Sequence, residues 1–433
     1  MTGIDLDRAV DEARARYAAA RPISAGWSER AARVLPGGNT RSILHFEPFP
    51  FRVERAAGKH LWDVDGHRYV DLLGNYTAGL LGHSPAPVLA AAKEALTSGW
   101  SLGAVHEDEV RLAELLVERF PSLEQVRFTN SGTEANLMAL AAATHHTGRR
   151  RILVFRNGYH GGVLTFGRDD DPVNVPHEWL LCDDNDIDGM EQAFARHGSE
   201  IACALVEPMQ GSGGCIPADP EFLRALQQQC RDAGALLVFD EVMTSRFSAG
   251  GAQQLLGITP DLTTLGKYLA GGLTFGAFGG RAEVMAHFDA GRGGGLGHAG
   301  TFNNNVASMA GGVAALTELL HPSVLDALHG RGDELRVALN EALSTAGLPL
   351  CATGAGSLMN VHGTAGPVAS ARDLRGADDR WKELFFFHCL EAGFYVARRG
   401  FIALSIEITD DDIEAFLDAV GRFDPAGARN GRP

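Results

Sequence analysis

Short apolar runs in the middle of the chain are each followed by polar residues of a different chemical kind. Ser131, Gly132 and Thr133 follow QVRFT and open a helical segment, so their backbone N–H groups could hold a phosphate at the positive end of the helix dipole. Tyr159 follows RILVF on a glycine-flanked loop and could lie flat against a planar ring. Each feature also has an ordinary structural explanation, a serine helix cap and a tyrosine packed over a turn.

Two charged residues follow the next apolar runs. Asp240 comes after ALLVF, and a carboxylate at a buried strand end is costly unless a partner such as a pyridinium N–H keeps it ionised. Lys267 follows LTTLG, and a lysine whose pKa is lowered by its site is the usual nucleophile toward an aldehyde cofactor. A structural ion pair would explain the aspartate equally well, and most lysines are solvated. The four features together match one ligand with a phosphate, a ring, a ring nitrogen and an aldehyde.

Two other motifs in the sequence lack features that their chemistry requires. Residues 99–103 match the G-x-S-x-G motif of serine hydrolases, but the segment before them, PVLAAAKEALTS, is predicted to be helical where that motif requires a strand. The pair Gly266-Lys267 resembles a phosphate-binding P-loop, but Asp261 occupies the position of its first glycine and Tyr268 replaces its Ser or Thr. The sequence therefore predicts neither a serine hydrolase nor a nucleoside-triphosphate site.

The elements that must position these residues are helices alternating with apolar runs. Such alternation predicts an α/β domain with a mostly parallel sheet buried on both faces, which binds ligands at the carboxyl ends of its strands. The predicted helices lie near residues 87–98, 106–119, 132–147, 187–197 and 219–233. Before them, a helix is expected over residues 5–34, then strands with a hairpin turn at Asp65-Gly66.

Three segments follow from this pattern. Residues 1–85 are predicted to be an N-terminal segment of helix and strands that is part of a small domain, residues 86–305 the large cofactor-binding domain, and residues 306–433 a C-terminal small domain of α+β type. In the last segment we expect a strand near 357–361, a helix near 379–392, a strand at FIALSI and a final helix from about Asp410. The long C-terminal part is therefore expected to fold separately from the central sheet.

Composition excludes several kinds of partner. A net charge of -16 on 433 residues, with the basic residues scattered, argues against a nucleic-acid surface. The six cysteines form no C-x-x-C pair, so we expect reduced core thiols, with neither disulfides nor a metal site. The N-terminus is acidic and no apolar run approaches 18 residues, which predicts a cytoplasmic protein without a membrane partner.

Six motifs make the sequence similar to a known family. NSGTEAN, GYHGG, VEPMQG, FDEVMTSR, PDLTTLGKYLAGG and GTFNNN resemble the class III aminotransferases of pyridoxal-phosphate (PLP) fold type I, and the resemblance covers nearly the whole chain. It lies in the branch of the glutamate-1-semialdehyde aminomutases and is nearest to the β-amino acid aminotransferases, of the β-phenylalanine type. The resemblance implies a large domain with a mostly parallel sheet flanked by helices, a smaller α+β domain from both chain ends, and PLP as cofactor.

The resemblance also implies roles around the cofactor ring. Lys267 would hold PLP as a Schiff base, and Asp240 would pair with the pyridine nitrogen. Val242 would pack on one face of the ring and Tyr159 on the other. Glu207, in the E-P motif, would lie near the hydroxyl side of the cofactor.

At the phosphate, the resemblance implies a contribution from two chains. Ser131, Gly132 and Thr133 would hold the phosphate of their own subunit, and Thr301, in the G-T motif, would reach the phosphate of the neighbouring subunit. A homodimer with shared active sites is therefore implied.

Substrate choice is expected to depend on two arginines. Arg41 and Arg399 resemble the arginines that bind the substrate carboxylate in β-amino acid aminotransferases, and guanidinium groups suit bidentate carboxylate binding. Two solvated arginines are the alternative. Arg398 departs from the family pattern, which has a proline before the second arginine.

The expected reaction moves an amino group from a β-amino acid donor to a 2-oxo acid acceptor such as 2-oxoglutarate or pyruvate. An aminomutase with the same residues, a broad ω-amine transaminase, and a non-catalytic module on the same fold are the alternatives. The run GTFNNN replaces the G-T-x-S-G-N-P typical of the aminomutase, which counts against that isomerase. The presence of Lys267 and Asp240 counts against the non-catalytic module.

Overall fold

Thirteen α-helices are found in the part of the chain that the structure describes, a computed structural model covering residues 5–169, 171–292 and 295–425. They are α1 (Leu6–Ala19), α2 (Pro22–Ala32), α3 (Ala86–Ser98), α4 (Glu107–Arg119), α5 (Gly132–Thr147), α6 (Ile187–His197), α7 (Pro220–Ala233), α8 (Gly251–Leu256), α9 (Ala282–Met285), α10 (Val306–Ala314), α11 (Pro322–Thr345), α12 (Asp379–Glu391) and α13 (Asp410–Gly421). The single helix predicted over residues 5–34 is wrong. Pro22 cannot continue a helix from the preceding turn and instead begins α2.

The strands form a large central sheet and smaller sheets around it. They are β1 (Val53–Ala57), β2 (His60–Asp63), β3 (Arg68–Asp71), β4 (Gln125–Thr129), β5 (Arg151–Phe155), β6 (Glu178–Cys182), β7 (Ile201–Val206), β8 (Met209–Gln210), β9 (Ile216–Pro217), β10 (Leu236–Asp240), β11 (Leu262–Gly266), β12 (Gly276–Gly280), β13 (Cys351–Ala355), β14 (Leu358–His362), β15 (Phe394–Tyr395) and β16 (Phe401–Ala403). The central sheet has seven strands in the order β4-β12-β11-β10-β7-β5-β6. This α/β architecture with a mostly parallel sheet confirms the predicted fold class.

Strand β12 is the exception to the parallel arrangement and was not predicted. It runs antiparallel to both β11 and β4, and its sequence, GAFGG, lacks the β-branched run that marks a buried strand. At Gly276 a side chain would overlap the backbone carbonyl of Ser131. The glycine therefore lets β12 pass close to the loop that begins α5, which places that loop at the end of the sheet.

Both faces of the central sheet are covered by helices. Alternate residues of β5 point to opposite sides: Ile152 and Val154 pack with α5, whereas Leu153 and Phe155 pack with α6 and α7. All four side chains are buried, as the continuous apolar sequence of the strand predicts. With its faces covered, the sheet leaves the carboxyl ends of its strands as the open edge.

The two ends of the chain meet in the remaining sheets. Strands β1, β2 and β3 form an antiparallel meander, with the predicted hairpin turn at Asp65-Gly66, and β15 pairs in parallel with β3. Strands β13, β14 and β16 form a separate antiparallel sheet. Helix α10 packs against α3 and α4. The division at residues 85 and 305 stays a prediction.

All six cysteines are free and buried, in agreement with the predicted core thiols. Among the described residues, no helix is both long and apolar enough to span a membrane.

Candidate active site

The carboxyl ends of five parallel strands border one cavity of about 560 Å³. The loops after β4, β5, β7, β10 and β11 each contribute to its wall. The cavity therefore brings together residues that are far apart in the sequence, as is expected of loops at the carboxyl ends of parallel strands. The predicted residues that line it are Arg41, Ser131, Gly132, Thr133, Tyr159, Glu207, Asp240, Val242 and Lys267.

The N-terminus of α5 forms a tight cradle at one side of the cavity. Ser131 caps the helix by accepting a hydrogen bond from the Glu134 N–H at 3.2 Å, and the first N–H groups of a helix have no intrahelical acceptor. At Gly132 a Cβ would lie 2.8 Å from Cγ2 of Val242, and at Gly161, whose φ is +131°, a Cβ would overlap the Thr133 hydroxyl. Glycine is thus required where the backbone approaches most closely, which suits the binding of an anion.

Asp240 is held in place by donors on both carboxylate oxygens. Oδ2 accepts from Nδ2 of Asn136 at 2.9 Å and lies 2.8 Å from Nδ1 of His160. Among the described residues, Oδ1 accepts only from the Val242 N–H, at 3.0 Å. The side chain is 4% exposed. Because a carboxylate oxygen has two lone pairs, Oδ1 can accept a further hydrogen bond from a ligand in the cavity.

Lys267 lies at the end of β11 and faces the same cavity. Burial lowers the pKa of its amine, and the positive charges of Arg399 and Arg41 act in the same direction, while Asp240 and Glu207 oppose them. Its backbone adopts the left-handed conformation, with φ of +57°, which is uncommon for a residue with a side chain and clusters at functional sites. The environment therefore favours a neutral, nucleophilic amine.

Glu207 also lines the cavity and is almost fully buried. Its oxygens accept hydrogen bonds from the Tyr159 N–H at 3.0 Å and the Gly211 N–H at 2.9 Å. Burial raises its pKa to about 7, an effect that Asp240 increases and that His160 and the two N–H donors reduce. Glu207 thereby fixes the loop that carries Tyr159, whose ring remains 45% exposed at the cavity.

The two predicted substrate arginines line two neighbouring cavities. Arg41 lines it directly, and its Nη1 donates to Oδ1 of Asn75 at 2.6 Å. Arg399 lines a neighbouring cavity of about 480 Å³, which shares Tyr159 with the first, and its Nη1 donates to Oγ of Ser212 at 2.8 Å. Arg398 instead contacts the carboxylate of Glu383 at 3.3 Å.

Thr301 is the one predicted cofactor residue outside this group. It is exposed, on the loop before α10, and is not among the described residues that line the cavity. The neighbouring side chain of Asn303 accepts from Nδ2 of Asn130, at the end of β4, at 2.9 Å. The loop is thus anchored beside the site while Thr301 itself faces outward.

A buried hydrogen-bond network behind Asp240 was not predicted. Asn136 receives a hydrogen bond from the Thr264 hydroxyl at 2.8 Å and donates both to Asp240 and to the His160 backbone carbonyl, each at 2.9 Å. Asn136 and His160 belong to the motifs NSGTEAN and GYHGG, but nothing in their spacing shows that they meet at one carboxylate. Only the pairing of the strands brings β11, α5 and the loop after β5 together.

The cavity fits PLP group by group. The helix N-terminus with its glycines suits the phosphate, the free capacity of Asp240 suits a protonated ring nitrogen, and Lys267 suits the aldehyde. Val242 and Tyr159 line the same cavity. The agreement of several independent groups with one ligand is the main structural argument for this cofactor.

Comparison with known proteins also indicates a PLP-dependent enzyme. Residues 45–167 and 170–419 match the family described as Aminotransferase class-III. The chain belongs to the class III aminotransferases. As a member of this family it is a PLP-dependent transaminase.

Three relatives illustrate the similarity. The β-phenylalanine transaminase of Variovorax paradoxus is 51% identical over 98% of this chain and 97% of its own length, and its solved structure superposes with a TM-score of 0.95 over 98% of both chains. An uncharacterized aminotransferase of Schizosaccharomyces pombe is 43% identical, covering 95% of this chain and 94% of its own. An ω-transaminase structure from Sphaerobacter thermophilus is 37% identical, with a TM-score of 0.88 over 94% of this chain and 98% of its own.

Proposed function

We propose that this aminotransferase moves the amino group of a β-amino acid, of the β-phenylalanine type, to a 2-oxo acid such as 2-oxoglutarate or pyruvate. The observation that carries the proposal is the convergence of Lys267, Asp240 and the N-terminus of α5 in one cavity whose wall also carries Arg41. The high identity to a β-phenylalanine transaminase supports the donor class.

PLP, when bound, supplies the electron sink that makes the carbon–nitrogen chemistry possible. Lys267 would hold the cofactor covalently through its amine, and the same amine would take a proton from the substrate carbon and return it. Its lowered pKa suits both roles because a neutral amine is both a nucleophile and a base. Asp240, fixed by Asn136 and His160, would keep a proton on the ring nitrogen.

The two arginines would recognise the carboxylates of donor and acceptor. A guanidinium offers a planar pair of donors that matches a carboxylate, and two of them at one site allow both substrates to bind in turn. Arg399 is the better candidate for the second position, because it lines a cavity together with Tyr159, whereas the guanidinium of Arg398 pairs with Glu383.

We further propose a homodimer in which Thr301 binds the phosphate in the neighbouring subunit. The exposed side chains of Trp100, Val105 and Phe302 support it, since large apolar groups at the surface often mark an interface. They lie on two loops that are joined by the hydrogen bond from His106 to the Asn304 carbonyl at 2.8 Å. The cytoplasmic location stays a prediction from the N-terminal sequence.

A panel of donors tests the substrate assignment. The wild type, Arg41→Ala, Arg399→Ala and the matched control Arg398→Ala would be offered β-phenylalanine, phenylalanine and 1-phenylethylamine, each with 2-oxoglutarate and with pyruvate. We expect the wild type to prefer β-phenylalanine, and kcat/KM for it to fall by about 100-fold or more in the first two variants only. A wild type that prefers 1-phenylethylamine, with no effect of either arginine, would show a general amine transaminase instead.

A further inference from the structure

Tyr76 links the two loops that carry the substrate arginines. Its hydroxyl donates to the backbone carbonyl of Ile43 at 3.2 Å, two residues beyond Arg41. Its ring stacks on Phe401, two residues beyond Arg399, with centroids 5.9 Å apart and an angle of 27° between the ring planes. One side chain therefore contacts a loop from each end of the chain.

Both guanidinium groups also lie close to this ring. The Cζ atom of Arg41 is 5.6 Å from the centroid of Tyr76, and that of Arg399 is 5.2 Å from it. Each distance is within the range in which the negative face of an aromatic ring attracts a cation. The hydrogen bond from Arg41 to Asn75 adds a second constraint from the same turn.

The backbone of this turn is in an unusual conformation. Asn75, Tyr76 and Thr77 follow one another with φ of +48°, +52° and +79°, a left-handed region that residues with side chains seldom adopt. The turn is held by hydrogen bonds, among them those from the N–H groups of Leu73 and Gly74 to Asp71 Oδ1, each at 2.9 Å. Strain that the surrounding structure maintains is a common property of functional sites.

We infer that Tyr76 is a positioning residue for carboxylate recognition, holding the guanidiniums of Arg41 and Arg399 ready before a substrate arrives. This inference rests on the proposed function, since it assumes that the two arginines bind carboxylates. A preset pair of guanidiniums loses less conformational freedom on binding, so the benefit appears as tighter binding of carboxylated substrates. Tyr76 itself need not touch the reacting atoms.

The phenol is suited to this role in its neutral form. Tyr76 is half-buried, and burial raises its pKa even though Arg399 and Arg41 act in the opposite direction. The hydroxyl therefore keeps its proton and its hydrogen bond to Ile43 across the working range of pH.

The test compares two donors that differ only in the carboxylate arm, β-phenylalanine and 1-phenylethylamine, in the holoenzyme. Tyr76→Leu should raise KM for β-phenylalanine by about tenfold, leave kcat within about twofold, and leave KM for the amine within about twofold. Tyr76→Phe, which keeps the ring and loses only the hydroxyl, should raise KM for β-phenylalanine by no more than about threefold. The affinity for PLP should be unchanged in both variants.

A second measurement tests the inference even if Tyr76→Leu folds poorly or 1-phenylethylamine reacts too slowly. The inhibition constant of 3-phenylpropionate, a carboxylate without an amine, should rise by about tenfold in Tyr76→Met, which lacks the aromatic ring, and by no more than about threefold in Tyr76→Phe, which keeps it. Equal effects of Tyr76→Leu on both donors, or an unchanged inhibition constant, would overturn the inference. If the wild type does not transaminate β-phenylalanine at all, the proposed function fails first, whatever the variants do.

Discussion

At the scale of single residues, Asp240 and Lys267 lie in one cavity but in different environments. Asp240 is buried but satisfied by three donors, from Asn136, His160 and the Val242 backbone. Lys267 is desolvated, so that its pKa is lowered. A carboxylate held in place by several donors and an amine whose pKa is lowered suit a cofactor with a ring nitrogen and an aldehyde.

A buried carboxyl close to the site gives a prediction about pH and stability. Asp184 is 8% exposed, and burial raises its pKa to about 7, with Glu207 adding to the shift and only the Asn185 N–H reducing it. The unfolded chain releases this proton near the ordinary value of 3.8, so stability is lost as pH rises from there to about 7. The stability of Asp184→Asn relative to the wild type should therefore improve by about 2 kcal/mol between about pH 5 and about pH 8.

The adjacent residue, Asp183, provides a control because its pKa is shifted in the opposite direction. Asp183 pairs with Arg372 and Arg156, and these partners lower its pKa. Asp183→Asn should therefore destabilise the enzyme at neutral pH, and the loss should shrink in acid. Unfolding curves in urea at one protein concentration measure both variants. Parallel pH profiles for Asp184→Asn and the wild type would contradict the assignment of the raised pKa.

At the scale of elements, the phosphate cradle depends on two loops that fit against each other. The loop after β5 passes the first turn of α5 so closely that Gly161 has no room for a side chain beside Thr133, and the Gly162 N–H lies 3.3 Å from the Thr133 hydroxyl. Gly161 also has a φ of +131°, which a residue with a Cβ rarely adopts.

The two glycines make a matched pair of variants. Gly161→Ala should weaken PLP binding by about tenfold or more, because Thr133 and the helix N-terminus must move to make room. Gly162→Ala should leave the affinity within about twofold, because a Cβ there meets nothing within 4 Å. Titration of the apoenzymes with PLP, followed by the visible absorbance of the bound cofactor, gives both constants. Equal affinities in the two variants would contradict this prediction, because they would show that Thr133 and the helix N-terminus move without loss of PLP binding.

Prediction from the sequence worked best for elements with a strong periodic pattern. The strands before Asp240 and Lys267 are continuous apolar runs, and their positions predicted that both residues meet at one edge of the sheet. Strand β12 was not predicted because its glycines replace the apolar residues that mark a buried strand. Gly276 is one of them, and close packing requires a glycine there. The network through Asn136 could not be predicted either, since it depends on which strands are neighbours.

At the scale of the whole molecule, the site draws on both ends of the chain. Arg41 comes from the N-terminal segment and Arg399 from the segment before β16, while the cofactor cavity belongs to the central sheet. Parallel pairing of β15 with β3 brings the two ends together. Thr301 is exposed on the loop that Asn303 anchors to Asn130, which is compatible with the proposed contact to another subunit.

Mixed dimers test the shared site. If each site combines Lys267 of one subunit with Thr301 of the other, a dimer of Lys267→Ala with Thr301→Ala contains one intact site and one doubly defective site. Co-refolded or co-expressed mixtures should then regain PLP affinity and activity beyond the sum of the two parent variants. Activity no greater than that sum, at concentrations where the mixed dimer is shown to form, would place Thr301 outside the partner's site.

The most direct test of the central claim is a single half-reaction. Holoenzyme would be mixed with β-phenylalanine in the absence of any 2-oxo acid, while the visible absorbance of the cofactor and the amount of oxo product are measured together. We predict that the absorbance is lost, that about one equivalent of product forms per active site, and that 2-oxoglutarate or pyruvate then restores the colour. Lys267→Ala should lack the starting absorbance. Absence of bleaching by β-phenylalanine, or continued turnover without an acceptor as expected of an aminomutase, would contradict the account.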